Sequence, residues 1–253
     1  LHLLSRRQRQ MCIRDRNKVA FNITEGWYMS SFYLANGCTY FGKDGKDNSA
    51  GVDIKGDKGT QATKALVALV NNPNFVNDLQ GVGIAGLRDG SVGAYFSGSW
   101  DYKSVKEILG DNFGAVSLPT VKINGTDKQL KAFAGSKAIA VNPNCKYQQV
   151  AVALAKYLGG KDAQAKHYEL RNVIPCNTEL LATDVIKKDA LVSAQNDTFN
   201  KTSVIQPTVT GMNAYWTPAQ NFAKAIVNGE VTADNAEAKT LDFYNQINTS
   251  IVK

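Results

Sequence analysis

The chain reads as an α/β protein in which short strands run into polar and aromatic tips and from there into helices. Three observations predict this class. Val19-Ala20-Phe21 is a short apolar run, and after Asn22 it leads to Thr24-Glu25-Gly26-Trp27-Tyr28. Gly93-Ala94-Tyr95-Phe96 repeats the arrangement, passing through Ser97-Gly98-Ser99 to Trp100. Between and after these stretches, apolar residues recur at helical spacing and are stopped by Gly, Asn or Pro. In an open α/β sheet, ligands sit outside the carboxyl ends of the strands, which is where both tips fall.

Residues 18–22 form the first strand. Met29, Phe32, Tyr33 and Ala35 predict a helix stopped by Asn36-Gly37. Residues 41–51, rich in Gly, Lys, Asp and Asn, read as an exposed turn whose acids do not match a calcium loop. Helical period returns over 59–71, with Ala62, Leu66, Leu69 and Val70 on one side, and Asn72-Pro73 ends it. Gly81-Val82-Gly83-Ile84-Ala85-Gly86 satisfies GxGxxG. A dinucleotide site needs a strand before that motif and a helix opening within it, whereas Asn77-Asp78 and Arg88-Asp89-Gly90 read as turns, so no cofactor is assigned. Asp101 is expected to cap a helix carrying Val105, Ile108 and Leu109. Residues 113–118 read as a strand, Asn124-Gly125 as a hairpin turn, and 138–141 as a further strand. Val150, Leu154, Tyr157 and Leu158 predict a helix, and more helices follow over 161–171 and 178–196. Pro207 opens a loop leading through Met212 and Asn213 to Ala214-Tyr215-Trp216, with Phe222, Ala225 and Ile226 as the next helix face. Thr232 caps the last helix, which carries Ala236, Leu241, Tyr244, Ile247 and Ile251.

The formal charge is +7, but its distribution removes the usual implication of an anionic partner. Residues 1–16 supply +4 through five arginines against Asp15, which leaves +3 for the rest. Nucleic-acid binding is therefore not inferred. The same leader, ending RQMCIRDR, resembles adaptor-derived translation and is set aside as non-native, so the true protein is expected to start upstream. No CxxC pair exists, which excludes a zinc ribbon. Cys145 and Cys176 are either a disulfide formed in an oxidising compartment or two buried free thiols.

Nucleophilic catalysis needs an imidazole, and outside the leader His167 is the one histidine, set among Lys and Glu. No HExxH or GxxxxGK[ST] points to a metal or a nucleotide. Glycoside hydrolysis needs only two carboxylates, and Glu25 can serve as one, but no partner is identifiable. The feature that recurs is tryptophan at an element boundary. Trp27, Trp100 and Trp216 are all the tryptophans in the chain, and each lies beside Tyr or small polar residues. Sugars present flat C–H faces that stack on aromatic rings, while their hydroxyls need groups such as Glu25 and Ser97. Carbohydrate binding is the reading these residues favour. A glycoside hydrolase, or a carbohydrate-binding module with no transport role, is the alternative.

Phe21-Asn22 before Glu25-Gly26-Trp27-Tyr28, Gly98-Ser99-Trp100, Leu118-Pro119, Asn142-Pro143 and Met212-Asn213-Ala214-Tyr215-Trp216 occur in this order from Lys18 to the C-terminus. In order and spacing they resemble the maltose/maltodextrin-binding proteins, the extracellular solute receptors of carbohydrate ABC transporters. The resemblance implies a periplasmic-binding-protein-like two-lobe α/β fold closing on an oligosaccharide. It assigns 17–136 and 189–253 to the C-terminal lobe and 137–188 to the N-terminal lobe. Glu25, Trp27, Tyr28, Ser97, Trp100, Met212, Tyr215 and Trp216 become the expected ligand positions. It further implies a monomeric binding protein, not an enzyme, that needs no cofactor. Its partners are an oligosaccharide and ABC permease subunits, and its place is extracellular or periplasmic, free or as a tethered lipoprotein. Three departures stand out: Thr217-Pro218 follow the last tryptophan, Trp27 enlarges a position that is commonly tyrosine, and the first part of the N-terminal lobe is expected before Lys18. On that reading the chain is a fragment, expected to bind weakly or fold poorly alone because the remnant lobe exposes surface.

Overall fold

The computed structural model describes residues 18–251, so the leader and its Cys12 lie outside the described residues. Strand β1 (Lys18–Phe21) is the centre of a parallel sheet, flanked by β4 (Phe75–Asn77) and β5 (Val92–Tyr95). Parallel neighbours require crossovers, and helices supply them. α1 (Gly26–Ala35) and α2 (Gly56–Val70) intervene between β1 and β4, and α3 (Val82–Asp89) between β4 and β5. The described chain divides into two compact units.

The first unit takes the chain to Phe96, Ser117–Ala134, and Thr198 onward. Besides the sheet it holds the antiparallel pair β2 (Thr39–Tyr40) and β3 (Val52–Asp53), and the hairpin β6 (Thr120–Ile123) and β7 (Thr126–Gln129). The hairpin turn is the expected Asn124-Gly125, with φ of 49° and 73°, the left-handed pair that a primed turn demands. Strand β8 (Ala132–Ala134) pairs in parallel with β9 (Ser203–Ile205), an element the local pattern does not reveal. Helices α10 (Asn213–Val227) and α11 (Ala236–Ser250) complete the unit.

Its core lies among α1, α2, α10 and α11, where Met29, Tyr33, Leu66, Tyr215, Phe243 and Ile247 are all buried. Phe222 and Phe243 stack at 4.5 Å between centroids. Buried hydroxyls link the helices of this core, each pairing with another as burial favours. The Thr63 hydroxyl bonds both Tyr33 Oη at 2.8 Å and Thr240 Oγ1 at 2.7 Å, tying α1, α2 and α11 together. Thr232 and Asn235 bond each other reciprocally in the turn before α11, whose N-cap residue is Asn235, without a side-chain cap bond, rather than the expected Thr232.

Burial holds four acidic protons in this core. It raises the pKa of Tyr33, Tyr40 and Tyr215 above the ordinary phenol value and pushes Cys38 up to about 12. In the unfolded chain a thiol ionises near pH ~8.5 and a phenol near ~10. Between those values and the raised native ones the unfolded state holds fewer protons, so stability is full below pH ~8.5 and falls as pH rises. Denaturation midpoints measured from pH 7 to 11 are expected to be level to about pH 8.5 and then to decline steeply. A level midpoint up to pH 11 contradicts this.

The second unit comprises Ser97–Val116 and Gly135–Asp197. It contains α4 (Tyr102–Leu109), α5 (Gln148–Leu158), α6 (Lys161–Arg171), α7 (Thr178–Leu181), α8 (Asp184–Lys187) and most of α9 (Ala190–Lys201). Leu180, Ile186 and Val192 make a small core, and Tyr168 donates to Asp189 at 2.6 Å beside it. Helix α5 buries none of its residues: Val150, Leu154 and Tyr157 are exposed.

Several expectations are corrected. Residues 113–118 and 138–141 are irregular rather than strands. The GxGxxG stretch does follow a strand, β4, and does open a helix, α3. Its glycines serve packing: a Cβ on Gly83 would stand 2.6 Å from the Tyr95 ring, and one on Gly86 2.4 Å from Val92. The helix start is filled by Asp78, whose carboxylate accepts the Gly83 N–H at 2.8 Å, so a phosphate would meet a negative charge there. Cys145 and Cys176 are both free. Cys176 is exposed, its N–H bonded to Gln164 Oε1, while Cys145 sits in a separate turn closed on Asn142, so neither the disulfide nor a buried thiol pair is found.

Candidate functional site

Two helix starts in the first unit carry most of the expected site. The chain leaves β1 through a loop organised by Asn22, whose side-chain oxygen accepts the Thr24 N–H at 3.1 Å and also the Thr24 hydroxyl. Asn77, at the carboxyl end of the neighbouring β4, accepts the Ile23 N–H at 3.0 Å. These bonds fix the entry to α1. Glu25 is the N-cap residue of α1, but its carboxylate makes no cap bond and is exposed. A carboxylate is favoured there by the positive end of the helix. Trp27 and Tyr28, in the first turn, are half-buried. Trp27 rests edge-on against Phe133 with centroids 5.8 Å apart, and Tyr28 leans on Phe21 at 6.0 Å.

The second start is the turn Thr210–Met212 running into α10. Gly211 is pinned by its N–H to Asn48 Oδ1 at 2.8 Å. Trp216 is half-buried and lies edge-on to Tyr215, centroids 5.2 Å apart. Pro218 lies inside α10 and removes one backbone donor just beyond Trp216.

The two starts pack directly on each other, and glycine is what permits it. A Cβ on Gly26 would stand 2.8 Å from Ala219 Cβ and 3.2 Å from the Tyr215 ring. The Tyr215 hydroxyl donates to the Gly26 carbonyl at 2.9 Å. The structure thus brings Glu25, Trp27 and Tyr28 onto the same part of the first unit as Trp216. The side chains of Met212 and Tyr215 are 3% and 0% exposed, so both lie in the interior of the first unit.

Ser97 and Trp100 belong to the second unit. Trp100 lies in the turn Ser99–Asp101 that opens α4 and is 69% exposed, which excludes a core role. Its ring folds back over Gly98, where a Cβ would meet the indole at 2.3 Å. Ser97 donates its hydroxyl to Asp101, whose carboxylate forms no cap on α4, contrary to the sequence expectation. Phe133 and Tyr40, which support the site from below, are absent from the sequence reading because β8 reaches α1 only through non-local pairing. Among the described residues no group of His, Cys, Asp and Glu is arranged to hold a metal, and no helix is long and apolar enough to cross a membrane.

The profile of a family described as bacterial extracellular solute-binding protein matches residues 13–194. A maltooligosaccharide ABC transporter solute-binding lipoprotein of Streptococcus pneumoniae is 27% identical over 217 residues, covering 84% of this chain and 50% of its own. A solved structure with acarbose is 49% identical, with a TM-score of 0.87 over 93% of this chain and 62% of that one. The maltodextrin-binding protein MalE1 of L. casei BL23, solved without ligand, is 24% identical, with a TM-score of 0.79 over 91% of this chain and 62% of its own. The chain spans about half the length of the curated relatives it matches. The fold is periplasmic-binding-protein-like α/β, as the family resemblance implies. With its profile match covering most of the chain, this protein belongs to the bacterial extracellular solute-binding protein family.

Proposed function

We propose that the protein binds a maltodextrin-type oligosaccharide outside the cell and hands it unaltered to an ABC transporter permease. The observation that carries this reading is the pair of half-buried indoles, Trp27 and Trp216, presented from two helix starts locked together at Gly26. Rings held in this way offer flat apolar faces to successive sugar units at little ordering cost. Glu25 supplies an exposed acceptor for sugar hydroxyls, Tyr28 stands beside it, and Trp100 is a further stacking surface in the second unit. The sugar class is supported by relatives that are named for maltooligosaccharide and maltodextrin. Monomeric action, the permease and an extracellular or periplasmic place follow from this reading.

Product analysis separates it from hydrolysis. Incubation of the full-length protein with maltotriose is expected to change tryptophan emission while every molecule of trisaccharide is recovered intact. Glucose and maltose appearing with time would replace the receptor by a glycosidase.

A further inference from the structure

We propose that Tyr215 is a positioning residue that holds Trp27 and Trp216 in one rigid frame, so that the two indoles meet a ligand as a unit. This rests on the reading of both as sugar-stacking rings. An unbroken run of edge-to-face rings joins them: Trp27 to Phe133 at 5.8 Å, Phe133 to Tyr40 at 5.2 Å, Tyr40 to Tyr215 at 5.2 Å, and Tyr215 to Trp216 at 5.2 Å. The three middle rings are buried, at 3%, 3% and 0% exposure. Close-packed interiors leave such a ring no room to tilt without moving its neighbours. A second, shorter route closes the loop. The Tyr215 hydroxyl bonds the Gly26 carbonyl at 2.9 Å, which is the peptide that leads into Trp27. Tyr215 therefore touches both the Trp216 ring and the backbone that sets Trp27.

Such a frame is a device for binding as well as for folding. Two rings whose separation and tilt are already set lose little freedom when a ligand docks. Phenylalanine at position 215 keeps the ring run and removes the hydroxyl, with its bond to Gly26 and its interaction with Tyr40, so the variant is expected to fold.

The test uses the full-length protein labelled with 5-fluorotryptophan, the ¹⁹F resonances being assigned from single Trp→Phe variants. Tyr215→Phe is expected to shift or broaden the resonances of both Trp27 and Trp216, to leave that of Trp100 in place, and to raise the Kd for maltotriose about fivefold, the equivalent of one hydrogen bond. Movement of Trp216 alone overturns the proposal, as does an unchanged Kd beside a moved pair. If the unmodified protein does not bind maltotriose, the sugar reading fails by itself, and the ligand-free fluorine spectrum still decides whether Tyr215 holds the two indoles together.

Discussion

Trp216→Ala and Trp27→Ala are each expected to weaken maltotriose binding about 30-fold, the effect of losing about 2 kcal/mol from an aromatic anchor. Both variants also cost the fold, and the structure says why. Trp27 rests on Phe133 and Trp216 on Tyr215, both in the interior, so truncating either indole uncovers a core ring. Melting temperature falls along with affinity in both. Trp100→Ala provides the contrast. At 69% exposure its indole covers little beyond Gly98, so alanine there is expected to lower affinity while thermal unfolding stays unchanged. Calorimetric titration beside thermal denaturation of the three variants checks this. Full affinity in Trp27→Ala or Trp216→Ala would remove the stacking account.

Gly59→Ala is expected to destabilise the protein by about 3 kcal/mol, through overpacking against backbone. Gly59 lies in the first turn of α2, and a Cβ there would stand 1.5 Å from the Ile54 carbonyl oxygen. No flexible side chain can yield; either the start of α2 or the segment after β3 must move. Thr63, one turn on, bonds back to the Gly59 carbonyl and across to Thr240 and Tyr33, so a shifted helix start pulls on the buried threonine network. For a chain of this size the loss corresponds to a Tm drop of roughly 6–12 °C. Gly114→Ala, with nothing within 4 Å of its added carbon, is the matched control and is expected to change nothing. A Gly59→Ala protein that melts with the wild type would contradict the packing described for α2.

What was legible in the sequence was local. Strand runs ending in polar tips, helix stops at Asn36-Gly37 and Asn72-Pro73, and the Asn124-Gly125 turn each encode their structure within a few residues, and each formed. Non-local pairing was not legible. Strands β8 and β9 are three residues each and find each other across some 70 positions, so neither declares itself, and Phe133 beneath Trp27 went unseen. The GxGxxG context was misread for a related reason: β4 is only three residues long, and Asn77-Asp78 looked like a turn when one ends the strand and the other caps a helix.

At the site, the tryptophans were visible because indoles at element boundaries stand out by type and place. The division of labour among their neighbours was not. Tyr215 and Trp216 are adjacent in sequence and face opposite environments, one interior and one half-buried, and only the packing of α10 on Gly26 decides which is which. Likewise the Asp101 carboxylate takes the Ser97 hydroxyl instead of a helix cap, a choice between two local partners that residue types alone do not settle.

The most direct measurement is isothermal titration of maltotriose into the full-length protein at several temperatures. Sugar faces closing on Trp27 and Trp216 bury apolar surface, so saturable binding of one trisaccharide with a negative heat-capacity change is the predicted result. No saturable heat up to millimolar sugar would contradict the account.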